Sequence, residues 1–196
     1  MRIIKKIAKI TRVITIAPII ALILINILFF FHPNTFNGWY DYCFALFALV
    51  IFPLFGYPVQ WIFKVIKGDM RKAERKLVVV FSIIGYIIGT IFAFLLDAPN
   101  IQKVMYLTYL LSGLLIGVFT FIFKIDASGH MCGVTGPVAL IVYVFGRQYI
   151  FLLLILVFVI WSSLYLKRHT VKQLIYGTLI PIVALIISIF ATASYI

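Results

Sequence analysis

The sequence predicts an all-α, polytopic membrane bundle of six to seven transmembrane helices. Apolar residues make up 65% of the 196, and charged residues only 11%. A soluble domain carries roughly twice that charged share. The apolar residues also gather in runs of about 20, long enough as helix to cross ~30 Å of hydrocarbon. No polar, Pro/Gly-rich linker and no internal repeat divides the chain. One integral membrane domain over residues 1–196 is therefore expected.

Taken in order, Met1 to Arg12 is a basic start, with Arg2, Lys5, Lys6, Lys9 and Arg12. Ile3, Ile4, Ile7 and Ile10 interleave with these cations and suit contact with a lipid surface. The apolar run behind them is too long for a signal peptide, and no small-residue cleavage site stands near Phe31. A retained helix over 13–31 is expected. His32 to Gly38 reads as a turn, followed by Trp39 and Tyr40 as an interfacial anchor. A second helix over 42–66 contains Pro53 and Pro58 and should kink. Residues 64–76 form the densest charge cluster. Helices over 77–96 and 104–123 each carry a glycine pair four apart, Gly85/Gly89 and Gly113/Gly117, suited to close packing. A short fifth run covers 131–145. Gly146-Arg147-Gln148 breaks it from a sixth over 149–166. The last run covers 171–196.

Seven crossings put the N-terminus and the loops at 64–76, 124–130 and 167–172 on one side. Fifteen of the seventeen Lys and Arg then share that side, leaving Lys103 and Arg147 opposite. Such an asymmetry marks the basic side as cytoplasmic. The net charge of +12 is thus a topological signal between apolar runs and not a nucleic-acid footprint. Cys43 and Cys132 form neither a metal spacing nor a disulfide framework, and no bound metal or cofactor is expected. No carboxylate falls inside a run, since Asp41 and Asp97 read as loop residues, which argues against an ion-coupled transporter.

Two histidines fall on the basic side. Ser128-Gly129-His130 precedes the fifth run, where unpaired backbone N–H groups and the positive end of the helix dipole favour an anion. Gly129 permits close approach, Ser128 offers a hydroxyl and His130 can transfer a proton. The plainer alternative is Ser128 as a helix cap with an exposed His130. His169 sits among Lys167, Arg168 and Lys172, cations that lower its pKa and keep it nucleophilic. Its alternative is a headgroup-facing anchor. Arg71 and Arg75 of the 64–76 loop either bind phosphate or serve as positive-inside charge.

At these residues the chain resembles the type 2 phosphatidic acid phosphatase superfamily of membrane lipid phosphatases. The family's Pro-Ser-Gly-His motif is matched by Ala127-Ser128-Gly129-His130. Its Ser-Arg, five residues, His, three residues, Asp motif is matched by Ser162-Ser163, His169 and Gln173, with Gly177 behind. Ser163 stands where Arg is usual, and Gln173 where Asp is usual. The His-Thr-two-residues-Gln form looks like a variant of prokaryotic members. The family's Lys, six residues, Arg-Pro motif is matched by Lys64 and Arg71, with Lys72 for Pro and Arg75 as a rival to Arg71.

The resemblance covers about half the chain, from Lys64 to Gly177, and implies a phosphatase-like core over about 64–196 in a prokaryotic cell membrane. It implies metal-independent release of phosphate from a lipid phosphate or pyrophosphate, such as a polyprenyl phosphate. His169 would attack phosphorus to form a phosphohistidine, and His130 would protonate the leaving alcohol. Lys64, Arg71, Arg75, Ser128 and Gly129 would hold the phosphate oxygens. The competing expectation is a weakly active or inactive relative that binds or moves lipid phosphates.

Overall fold

The computed structural model describes residues 2–193, apart from the side chains of Arg71, Lys72, Arg75 and Phe121. The described chain is all-helical. Its elements are α1 (Arg2–Ile14), α2 (Ala17–Phe31), α3 (Trp39–Phe63), α4 (Met70–Leu95), α5 (Asn100–Phe121), α6 (Gly129–Phe145), α7 (Arg147–Tyr165) and α8 (Val171–Ala193). Five helices are long and apolar enough to cross a membrane, and six if the bent α1–α2 pair makes one span. The chain is a multi-pass membrane bundle.

The expected helix over 13–31 is corrected to two helices meeting at 52°. The cause is local. Ile16 is extended, and Pro18, which has no N–H to give, stands in the first turn of α2. The basic start is itself helical. Its Ile3, Ile7, Ile10 and Ile14 follow helical spacing and are all exposed, while Ala8 is buried. α1 lies along α7.

α3 holds a π-helical turn over Phe47–Ile51 directly before Pro53. Pro53 cannot bond the carbonyl four residues back, and the widened turn absorbs the mismatch. The basic loop is shorter than expected, because α4 already begins at Met70. Arg71 and Arg75 therefore lie one turn apart on a helix. The glycine pair of α4 packs closely: Gly85 sits against the Ala48 carbonyl and Gly89 against the Tyr106 ring. Asp41 is half-buried in the first turn of α3, not in a loop. With its side-chain amide correctly oriented, buried Gln102 donates to Asp41 Oδ2 at 3.2 Å.

The short fifth run is α6, the most enclosed helix. Met131, Val134, Thr135 and Leu140 are fully buried, and α2, α5 and α8 pack around it. A helix apolar all round belongs at the centre of a bundle. Its two ends identify the two faces of the molecule. At the C-terminal end the Phe145 ring meets His32 at 6.0 Å. At the N-terminal end stand His130 and the groups described next.

Candidate functional site

α7 ends in a turn that reverses the chain. Lys167 takes a left-handed φ of 51°. The Lys167 N–H donates to Leu164 O and the Arg168 N–H to Ser163 O, both at 2.9 Å. These paired bonds make a Schellman stop. Thr170 then starts α8. The Gln173 N–H donates to Thr170 Oγ1 at 3.4 Å, and the Thr170 N–H donates to Gln173 Oε1 at 3.1 Å. This is a reciprocal capping box. It also settles which way the Gln173 amide points, because only a carbonyl oxygen accepts from a backbone N–H.

His169 is oriented by that box. Its Nδ1 lies 3.2 Å from Gln173 Oε1. An oxygen there can only accept, so Nδ1 carries the hydrogen and Nε2 keeps a lone pair. The imidazole is thus held in the tautomer that a nucleophile acting through Nε2 requires.

The start of α6 docks on the start of α8. The Ser128 N–H donates to Gln173 O at 3.0 Å, and the Met131 N–H donates to Ser128 Oγ at 3.2 Å. Ser128 is fully buried, so it caps the helix as the plainer reading had it. The N–H groups of Gly129 and His130, in the first turn, have no intrahelical partner. Gly129 is exposed, with open space where a side chain would stand. Gly177 supplies the close fit behind them: a Cβ there would lie 2.5 Å from Ser128 O and 3.0 Å from Met131 Cβ.

His130 faces α1. Thr15 donates its hydroxyl to Thr11 O at 2.7 Å, so its contact with His130 Nε2 at 3.0 Å is donated by the imidazole. His130 therefore presents Nδ1 as its free nitrogen. Its pKa is lowered to about 4, chiefly by burial and then by the neighbouring Arg12 and His169. His130 is therefore neutral at pH 7. Arg12, half-buried, donates from Nη1 to Ser163 Oγ at 3.2 Å, and Ser163 is fully buried.

Ser128, Gly129, His130, Ser163, His169 and Gln173 thus meet at one end of the bundle. Lys64 does not join them by any contact; it is exposed at the end of α3, with φ 47°. The side chains of Arg71 and Arg75 lie outside the described residues. Among those residues, no three of the His, Cys, Asp and Glu side chains converge as metal ligands would. Two residues of the cluster escaped the sequence reading, Arg12 and Thr15. Their signal was only that a basic helix is followed by Pro18, whose bend turns the end of α1 toward the first turn of α6.

An apolar groove of about 200 Å³ opens beside the cluster, between α7 and α8. Ile160, Leu164, Leu174, Ile175, Thr178 and Leu179 line it. Leu164 and Leu174 directly follow Ser163 and Gln173 in the chain, and no residue of the cluster itself lines the groove. No family model, curated protein or solved structure matches this chain.

Proposed function

We propose that the protein is a membrane phosphatase acting on a lipid phosphate or pyrophosphate, of the type 2 phosphatidic acid phosphatase kind. The observation that carries this reading is the His169–Gln173 pair. Its tautomer puts the lone pair on Nε2, the Gln173 backbone carbonyl accepts from the Ser128 N–H at the start of α6, and His169 lies near enough to His130 to lower its pKa. In the proposed reaction His169 Nε2 bonds to phosphorus as the phosphorus–oxygen bond to the lipid breaks. The Gly129 and His130 N–H groups take the charge developing on the phosphoryl oxygens. Water then cleaves the phosphohistidine and releases inorganic phosphate.

His130 supplies the proton to the leaving alcohol in this scheme. It is neutral at pH 7, chiefly through burial, and a phosphate dianion beside it favours its charged form and raises its pKa. The acid form is then stabilised by the substrate itself. The α7–α8 groove suits the lipid tail, and the basic segment with Lys64, Arg71 and Arg75 would gather anionic headgroups toward this end. The alternative, a lipid-phosphate binder with little turnover, draws on the neutral Gln173. A glutamine orients His169 but stabilises its cation less than a carboxylate would.

The deciding experiment is phosphate release from a panel of lipid phosphates by the purified protein in detergent with EDTA, beside His169→Ala. The proposal expects release by the wild type and none by the variant. Release that survives His169→Ala would sink the mechanism. No release from any lipid would leave the binding alternative.

A further inference from the structure

Ser163 stands where the resembling motif usually has Arg, and its hydroxyl accepts a hydrogen bond from Arg12, 151 residues earlier in the chain. The guanidinium therefore occupies the neighbourhood that a side chain from position 163 would have filled. It arrives from another helix. Ile16 and Pro18 turn the chain between α1 and α2, and α1 lies along α7, so its last turn reaches the end of α7 where Ser163 lies. Thr15, three residues on from Arg12, holds His130 by the hydrogen bond at 3.0 Å. One short segment thus touches both halves of the cluster.

We infer that Arg12 is a phosphate-binding residue of this site, a guanidinium supplied by the N-terminal helix in place of one at position 163. This rests on the proposed phosphoryl chemistry and adds to it a ligand group from outside the 64–196 core. Several features of the geometry favour it. Arginine presents donors in a planar fork matched to two phosphate oxygens. Arg12 is half-buried, which strengthens any charge pair it makes relative to an exposed one. The cations nearer the chain start, Lys5, Lys6 and Lys9, are exposed and make no such contact with the cluster.

The test uses the full chain in lipid nanodiscs and two separate readouts. Binding of inorganic phosphate is followed by ³¹P NMR titration, and turnover by phosphate release from a lipid phosphate. Arg12→Ala is expected to weaken phosphate binding about tenfold to a hundredfold, the loss of a charge-assisted pair. Arg12→Lys should regain only part of it, because the fork is gone. Lys9→Ala should bind as the wild type does. Moving the group back, in Arg12→Ala/Ser163→Arg, should restore binding to within about threefold. Thermal melts report whether each variant is folded.

Unchanged phosphate binding in folded Arg12→Ala overturns the inference, as does an equal loss in Lys9→Ala. These outcomes separate it from the phosphatase reading. Arg12-dependent binding without any lipid turnover keeps this inference and removes the phosphatase. Turnover with binding indifferent to Arg12 does the reverse. A wild type that neither binds nor hydrolyses removes both.

Discussion

The side-chain oxygen of Gln173 accepts from two neighbours at once, the Thr170 N–H at 3.1 Å and His169 Nδ1 at 3.2 Å. The same atom starts a helix and selects a tautomer. Gln173→Glu keeps the capping box and places a full negative charge against the imidazole. It should raise kcat on a lipid phosphate by about tenfold to a hundredfold, since the cation formed at His169 is then stabilised. Gln173→Ala should lower kcat by a similar factor with KM little changed. Steady-state phosphate release checks both.

His130 should make the fold acid-sensitive. Its pKa falls from 6.5 in the unfolded chain to about 4 in the folded one, chiefly through burial. The unfolded state then binds more protons between those values, so stability is lost as pH drops from 6.5 to 4. A shift of this size corresponds to up to about 3 kcal/mol at the acid end. Melting temperatures across that window should fall for the wild type and stay flatter for His130→Asn. Added inorganic phosphate should move the His130 titration upward, read from its ¹⁵N imidazole resonances.

Gly177→Ala should disrupt the site from behind. The added Cβ would lie 2.5 Å from Ser128 O, a backbone atom with little room to yield. The strain should cost about 1–3 kcal/mol. It also pushes the first turn of α6 away from α8, so activity should fall further than the melting temperature alone would suggest. Paired thermal melts and phosphate-release assays measure the two losses.

The groove between α7 and α8 can be filled without touching the histidines. Leu179→Trp places a large ring in it, from a half-exposed position. KM for a long-chain lipid phosphate should rise severalfold, while a short water-soluble phosphate ester should be hydrolysed as before. A variant that handles both alike would show that the tail lies elsewhere.

Much of this arrangement was legible from residue patterns, and the exceptions have physical causes. Apolar runs and turn residues place the helices within a few positions, because hydrocarbon thickness sets their length. Counting seven crossings put Ser128, His130 and His169 on one side, whereas the described residues hold five helices able to span, or six with the bent pair. The capping box was legible too, as Thr170-Val171-Lys172-Gln173, but a search for catalytic acids looks past a helix cap. Arg12 was not legible. Its place depends on the 52° bend and on α1 packing along α7, a contact between segments about 150 residues apart that no local periodicity encodes. The start of α4 was missed because charged residues read as loop, whereas Met70 to Lys76 are good helix formers.

The central helix is shorter than α7 and α8, which carry Ser163 and Gln173. Seventeen residues of α6 rise about 25 Å, some 5 Å less than typical hydrocarbon thickness. With its far end level with its neighbours, its first turn, and with it Gly129 and His130, would sit in a dimple below the surface of an average bilayer. The helices around it that can span are 19 to 25 residues long and match an ordinary bilayer, so it is the site alone that is recessed. Reconstituted into phosphatidylcholines of increasing acyl length, it should work best in the shorter ones and slow as the bilayer thickens and lifts the headgroups out of reach.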